Sequence, residues 1–144
     1  MVPDTRPAVP ERLRRALEGR GHRFTEQRGA VHRFLSGTGT HPTAEEVFRG
    51  VRGELPAISL ATVYKNLETL VACGMATKLT YSDGSSRYDG RTDPHHHARC
   101  ERCGTVRDVP GNLPAEVMAE LESCRGFRVT GYRLELTGVC SACA

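Results

Sequence analysis

The chain lacks any long run of apolar residues, although 38% of its 144 residues are hydrophobic. A membrane-spanning helix is indicated by about 18 or more consecutive apolar residues, and no segment approaches that length. The first residues, MVPDTRPAVPERL, also lack the apolar core of a secretory signal. We therefore predict a cytoplasmic protein with no membrane partner.

The sequence also lacks the H-E-x-x-H motif, although it contains six histidines. In metallohydrolases this motif places two zinc ligands and a general base on one helix. Histidine clusters without such a base do not favour hydrolysis. We predict that the chain is not an enzyme and has no small-molecule substrate.

Cysteine, by contrast, is frequent, with six residues in the chain. Four of them form two C-x-x-C pairs, Cys100 with Cys103 and Cys140 with Cys143. Such pairs can supply four thiolates to a tetrahedral structural Zn²⁺ with no open coordination position. A disulfide or redox pair is the alternative, which a reducing compartment disfavours. The two lone residues, Cys73 and Cys124, are predicted to be small buried hydrophobic side chains.

Positive charge is concentrated at one end of the chain. Residues 1–33 contain eight arginines and four acidic residues, whereas residues 94–144 contain six basic and six acidic residues. Arginine at one end indicates an anionic partner such as DNA. A solvated charged face explains the same composition equally well.

The N-terminal part predicts helices followed by a hairpin. Apolar spacing indicates helices within residues 11–21, 25–37, 43–55 and 59–73, with Thr25, Thr43 and Ser59 as N-caps. Two strand-like runs flank the turn at Asp83-Gly84. This order is typical of a winged-helix DNA-binding domain, whose last helix enters the major groove.

The fourth predicted helix has one apolar stripe and one polar face. The polar face carries short or flat side chains that can donate and accept hydrogen bonds: Thr62, Tyr64, Lys65, Asn66 and Thr69. Few of these are long charged groups, which favours contact with base edges and phosphates. Plain solvent exposure is the alternative.

Gly90 and Pro94 indicate a linker. We divide the chain into a winged-helix domain over residues 1–89, a hinge over 90–94 and a small α/β domain over 95–144. The last domain is predicted to contain strands near residues 95–102 and 105–109, a helix over 114–124 and a long strand within 127–140. About 50 residues form a marginal core, so a metal or a second subunit is expected to stabilise it.

The stretch DPHHHARCERCG combines three histidines with one cysteine pair. On a strand, His95 and His97 share one face, and His96 shares the other face with Cys100. The cluster therefore divides between two sites. Two imidazoles at i and i+2 can bind one ion, but a surface histidine patch would give the same pattern. We predict that His22, His32 and His96 lie at the surface.

Five blocks together resemble the ferric uptake regulator (Fur) family of metal-dependent repressors: RFTEQR, HPTAEEVF, SLATVYKNLETL, HHHARCERCG and GVCSAC. The resemblance spans about residues 11–143. The segments HPTAEEV, TYSDGSSRYD, DPHHHARC and RLELTGVC are most similar to the peroxide-responsive branch. The resemblance to the family implies an α+β chain. An N-terminal winged-helix domain would be followed by a small C-terminal α/β dimerisation domain that carries a four-cysteine zinc site.

The resemblance assigns two sets of ligands. It matches Cys100, Cys103, Cys140 and Cys143 to the structural zinc site, and it matches His41, Asp89, His95, His97 and Asp108 to a regulatory Fe²⁺ or Mn²⁺ site. Three nitrogen and two oxygen donors suit these ions. Tyr132 stands where some members carry a histidine of a third site, so we expect no third site.

The implied function is repression by a homodimer that binds a palindromic DNA operator when the regulatory site holds Fe²⁺ or Mn²⁺. By resemblance, peroxide then oxidises His41 or His95 through the bound iron and releases the DNA. Contacts to DNA are expected from Arg23, Thr62, Tyr64, Lys65 and Asn66. The alternatives are a family member that responds to iron, manganese or zinc supply and, outside the family, a zinc-stabilised interaction domain.

Overall fold

The computed structural model describes residues 9–81, 83–93, 95–122 and 126–144. The chain forms two compact units, residues 1–92 and residues 93–144. Cys124 and the end of the predicted fifth helix lie outside the described residues. None of the described helices is long and apolar enough to cross a membrane.

The first unit contains four helices and a two-stranded sheet. They are α1 (Val9–Glu18), α2 (Glu26–Gly37), α3 (Ala44–Val51), α4 (Leu60–Ala72), β1 (Thr77–Thr80) and β2 (Ser86–Asp89). Strands β1 and β2 pair antiparallel, with Thr77 opposite Asp89. The predicted winged-helix order is confirmed.

Local sequence signals determine where these helices begin and end. The side-chain oxygens of Thr25, Thr43 and Ser59 each accept a hydrogen bond from the backbone N–H three residues later, which is N-cap geometry. After α4, the N–H of Gly74 donates to Val71 and the N–H of Met75 donates to Leu70. Gly74 has a φ of 73°, so α4 ends in a Schellman motif that favours glycine at this position.

Apolar faces of all four helices build one core. Its fully buried members include Leu17 of α1, Val31 of α2, Val47 of α3 and Leu67 of α4, each 0% exposed. Burial of each such side chain contributes roughly 2 kcal/mol. Tyr88 of β2 joins the same core, which attaches the hairpin to the helices.

The second unit is a small sheet with one helix. It contains β3 (His96–Cys100), β4 (Val106–Val109), α5 (Ala115–Glu122) and β5 (Glu135–Gly138). The strand order is β4-β3-β5, in which β3 is antiparallel to β4 and parallel to β5. The α+β fold class is therefore confirmed.

The predicted long final strand is wrong in its extent. Only Glu135–Gly138 pairs as a strand. Immediately before it, the N–H of Leu134 donates to Nδ1 of His96 at 3.3 Å. The pairing of β5 with β3 begins one residue later, at Glu135 opposite His97. The imidazole of His96 therefore accepts a hydrogen bond from the backbone N–H of Leu134, which a longer pairing of β5 with β3 would use.

Candidate metal centres and nucleic-acid interface

Four cysteines converge at one end of the second unit. Cys100 ends β3, Cys103 lies in the turn that follows, and Cys140 and Cys143 flank the turn after β5. The four Sγ atoms all lie within 4.8 Å of one another. The Sγ atoms of Cys103 and Cys140 are 3.7 Å apart. The parallel pairing of β3 with β5 brings the two C-x-x-C turns together.

Backbone hydrogen bonds in this cluster favour thiolate at Cys100. Sγ of Cys100 accepts hydrogen bonds from the N–H groups of Cys103 and Cys140 at 3.5 and 3.4 Å. These bonds lower the pKa of the Cys100 thiol to about 6. Hydrogen bonds with Cys140 and Cys103 raise the pKa of Cys143 to about 12, because its proton is shared with neighbouring sulfurs. A bound cation would favour the ionised form of all four sulfurs, and four thiolates are the donor set of a closed zinc site.

A histidine–carboxylate pair lies in the first unit. Nε2 of His41 is 3.3 Å from Oδ2 of Asp89, and both residues are buried. Asp89 is the last residue of β2, and its Oδ1 accepts a hydrogen bond from the N–H of Arg91 at 2.9 Å. Gly90 then lies against α2, where a Cβ would be 2.8 Å from the carbonyl oxygen of Leu35. Close packing therefore holds the segment that carries Asp89.

Arg87 is a supporting residue that the sequence did not indicate. Its Nη1 donates a hydrogen bond to the carbonyl oxygen of His41 at 2.9 Å. The N–H of Tyr88 donates to the carbonyl oxygen of Pro42 at 2.8 Å. These bonds attach the His41 segment to β2, the strand that carries Asp89. Arg87 and His41 are 46 positions apart in the chain, so no local pattern could have signalled the contact.

A second set of nitrogen and oxygen donors lies in the sheet unit. Oδ1 of Asp108 is 3.4 Å from Nε2 of His95 and 3.5 Å from Nε2 of His97. The two imidazole rings meet edge to face, with centroids 4.5 Å apart. Asp108 lies opposite His97 in the β3–β4 register. Strand alternation thus pairs His95 with His97, as the sequence predicts.

His96 is not a surface residue, contrary to the prediction. It is 8% exposed, and its ring stacks on Tyr132 with centroids 5.0 Å apart. Nε2 of His96 faces Oδ1 of Asn112 at 3.4 Å, and Nδ1 accepts the hydrogen bond from Leu134. Both ring nitrogens have protein partners, which explains the burial.

The surface prediction for His32 is also wrong. His32 lies in α2 and is 5% exposed. Burial, with a smaller contribution from the charge of Arg12, lowers the pKa of His32 below 6.5. Its Nδ1 has no hydrogen-bond partner among the described residues. It lines an apolar cleft of about 290 Å³ beside Leu13 and Phe24.

Four of the five predicted DNA-contacting residues line one polar cleft in the first unit, and these are Arg23, Thr62, Lys65 and Asn66. Tyr64 lies on the exposed side of α4, with 41% of its surface accessible. Its hydroxyl donates to Oε1 of Glu45 at 2.8 Å. Two residues assigned to the polar face of α4, Asn66 and Thr69, are instead buried.

Comparison with known proteins agrees with this architecture. A model of the ferric uptake regulator family matches residues 19–137. The chain is 41% identical over 130 residues to the peroxide operon regulator of Bacillus subtilis, covering 89% of this chain and 88% of the relative. It is 39% identical over 128 residues to the peroxide-responsive repressor PerR of Staphylococcus aureus, covering 89% and 86%.

Solved structures show the same fold. The ferric uptake regulator Fur of Helicobacter pylori superposes with a TM-score of 0.81 at 24% identity, covering 92% of this chain and 89% of that chain. PerR of Streptococcus pyogenes gives a TM-score of 0.54 at 28% identity, covering 100% and 99%.

A winged-helix unit, a four-cysteine sheet unit and histidine–carboxylate donors in both units define a metal-binding transcriptional regulator. The family model spans most of the sequence, and the similarity to the B. subtilis regulator covers nine-tenths of it. The chain belongs to the ferric uptake regulator family. The predicted family and the prediction of a regulator rather than an enzyme are confirmed.

Proposed function

We propose that this chain is a homodimeric, peroxide-responsive repressor that binds operator DNA in the cytoplasm when its regulatory site is loaded. The observation that carries the proposal is the pair of donor sets: His41 with Asp89 in one unit, and His95, His97 and Asp108 in the other. The similarity to a peroxide operon regulator at 41% identity and to a peroxide-responsive repressor at 39% identity supports the choice of branch.

The five donors together suit one Fe²⁺ or Mn²⁺ ion. Three imidazole nitrogens and two carboxylates form a harder donor set than thiolates, which favours these metals over ions that seek sulfur. The four cysteines would hold a separate structural Zn²⁺. A shared ion would restrict the linker between the units, and its binding would thereby be coupled to DNA binding. By linkage, DNA would strengthen metal affinity by the same factor.

The DNA-binding surface is assigned to the first unit. Helix α4 is the recognition helix, and Arg23 and Lys65 add positive charge to the polar cleft beside it. Among the described residues, no carboxylate pairs with either side chain. Tyr64, on the exposed side of α4, is placed to contact bases or phosphates.

The second unit supplies an apolar surface for dimerisation. Val117 and Leu121 of α5 are 39% and 48% exposed, and Leu136 of β5 is 43% exposed. No described residue of α5 is buried, so this helix contributes little to a core within one chain. Exposed apolar side chains on a helix without buried residues favour a protein–protein interface. A twofold dimer would also match the symmetry of a palindromic operator.

Peroxide sensing is assigned to His41 and His95. When bound, Fe²⁺ supplies the one-electron chemistry that activates hydrogen peroxide, which Mn²⁺ does not do readily. The net change adds one peroxide oxygen atom to an imidazole ring and releases the other as water. An oxidised imidazole is a poorer ligand, so the metal and then the DNA would be released.

The test combines DNA binding with mass spectrometry on protein isolated without oxygen. A duplex selected in vitro should bind the Fe²⁺ and the Mn²⁺ forms but not the form with zinc alone. Stoichiometric peroxide should release the Fe²⁺ form and add one oxygen atom to the peptide that contains His41 or His95. The Mn²⁺ form is the matched control and should stay bound and unmodified.

Two other results point to other functions. Metal-dependent DNA binding without histidine oxidation would identify a regulator of metal supply, an alternative favoured by the 32% identity to a zinc-bound manganese uptake regulator. Equal DNA affinity with and without Fe²⁺ or Mn²⁺ would identify a zinc-stabilised interaction protein and contradict the metal switch.

A further inference from the structure

Asn66 of α4 is a polar residue in a position suited to an apolar one. It lies three residues after Val63 and four before Leu70, both of which are 0% exposed, and is itself 4% exposed. Residues at this spacing share one helix face. The Nδ2 atom of Asn66 is buried and has no hydrogen-bond partner among the described residues. A buried unsatisfied amide is destabilising, so this side chain is suited to a ligand that accepts a hydrogen bond.

A second unsatisfied donor belongs to Arg28, another residue that lines this cleft. Nε of Arg28 is buried without a partner among the described residues. Nη1 of Arg28 donates to the carbonyl oxygen of Arg23 at 2.6 Å. This bond holds the guanidinium group through Nη1 and leaves the hydrogen-bonding capacity of Nε unused. Arg28 and Asn66 both line the polar cleft of about 490 Å³.

The lining of the cleft is cationic. Besides Asn66 and Arg28 it contains Arg23 and Lys65, and none of its described lining residues is acidic. Thr25, the N-cap of α2, also lines the cleft, so the positive end of that helix faces the same space. Buried donors, fixed positive charge and a helix N-terminus together favour a tetrahedral anion.

We propose that this cleft binds one phosphate group of the DNA backbone, with Nδ2 of Asn66 and Nε of Arg28 as its donors and Lys65 and Arg23 as charge partners. The proposal rests on the proposed DNA-binding function and deepens it. Asn66, which the sequence placed on a face suited to base edges and phosphates, then fixes the position of the recognition helix on the backbone and carries no sequence information.

The decisive variant is Asn66→Leu. It removes an unsatisfied buried amide and places an apolar side chain against Val63 and Leu70, so thermal stability should stay equal or rise. DNA affinity of the full-length, zinc- and Mn²⁺-loaded protein should fall about tenfold or more, as expected for loss of a hydrogen bond to a charged group. A merely structural residue would lower stability and affinity together, and that result would overturn the proposal.

Thr69→Val is the matched control. Thr69 is also a buried polar residue of α4, but its Oγ1 donates to the carbonyl oxygen of Lys65 at 2.9 Å. It does not line the cleft. This variant should bind the duplex as tightly as the wild type.

Methylphosphonate scanning of the selected duplex identifies the phosphate. Neutralising one phosphate per half-site should weaken binding by the wild type more than binding by Asn66→Leu, because a double-mutant cycle shows coupling between two groups in contact. Equal losses for both proteins at every position would overturn the proposal.

A free anion is tested separately by isothermal titration with sodium sulfate. No heat, or heat only at molar concentrations, supports a backbone phosphate. The opposite result has two parts: the wild type binds sulfate tightly and Asn66→Leu does not, while both proteins bind DNA equally. That result would reassign the cleft to a free anion and overturn the DNA contact. If wild-type protein binds no duplex with any metal, the proposed function itself fails. If the wild type binds DNA and Asn66→Leu binds it equally well, only the phosphate site fails.

Discussion

The guanidinium group of Arg87 donates a hydrogen bond to the backbone of His41 across 46 residues of sequence. Arg87 also lies 3.7 Å from Glu46 of α3. It therefore joins β2, the His41 segment and α3 in one polar network. Since Asp89 is on the same strand two residues later, Arg87 connects the segment of His41 to the strand that carries Asp89.

Replacing Arg87 with methionine should lower regulatory-metal affinity. We expect about a tenfold loss in Mn²⁺ affinity, the lower end of the range for residues that orient metal ligands. Isothermal titration of the zinc-loaded protein measures it. Arg33→Met is the control, because Arg33 pairs with Glu54 at the surface of the same unit. Equal Mn²⁺ affinity in the two variants would show that Arg87 does not orient His41.

Replacing Asp108 with alanine should remove a ligand and leave the fold intact. Asp108 is 41% exposed, so its loss leaves no buried cavity. Mn²⁺ affinity should fall by at least about 100-fold, more than for a residue outside the ligand set. Circular dichroism and zinc content should match the wild type, as should those of the control Glu122→Ala. An unchanged Mn²⁺ titration would exclude Asp108 as a ligand.

Replacing Cys100 with serine should unfold the second unit. Structural zinc contributes on the order of 10 kcal/mol to the apparent stability of small domains, and the described part of this unit has few other buried residues. Atomic emission should show loss of about one zinc per chain, and the thermal transition should broaden or vanish. Cys73→Ser, in the first unit, should keep zinc and a cooperative transition. Zinc retained at full occupancy in Cys100→Ser would contradict the four-cysteine site.

Replacing His32 with leucine should stabilise the protein most at low pH. The folded pKa of His32 lies below 6.5 because burial disfavours the charged ring. The unfolded state therefore binds more protons as pH falls through 6.5, and wild-type stability declines there. The stability gain of His32→Leu should grow as pH falls from about 7.5 to about 5.5, measured by urea unfolding. A stability gain that does not change with pH, or one that His22→Leu matches, would contradict a pKa of His32 lowered by burial.

Charging the apolar surface of α5 should dissociate the dimer. The double change Val117→Glu and Leu121→Glu places two carboxylates on residues that are already exposed in one chain, so folding should be spared. Sedimentation velocity should show a monomer, and DNA affinity should fall with it. Glu116→Gln on the same helix should remain dimeric. A dimeric double variant would place the interface elsewhere.

Structural elements whose signals lie within a few residues were predictable from the amino-acid sequence. Thr25, Thr43 and Ser59 are N-caps, and Gly74 ends α4, because each acts on backbone groups three to five residues away. Two C-x-x-C pairs indicated one four-sulfur site, and strand alternation separated His96 from His95 and His97. Resemblance across several blocks then indicated the family.

Which polar side chains are buried, and what they contact, depends on the packing of the folded chain. Asn66 and Thr69 lie on the polar side of α4 in sequence, yet packing of that helix against the core buries both. The bonds from Arg87 to His41 and from Leu134 to His96 connect residues 46 and 38 positions apart. Such contacts depend on how distant segments pack, which no short-range pattern encodes. The shortened β5, the buried His32 and the two unsatisfied donors of the cleft therefore emerge only from the folded chain.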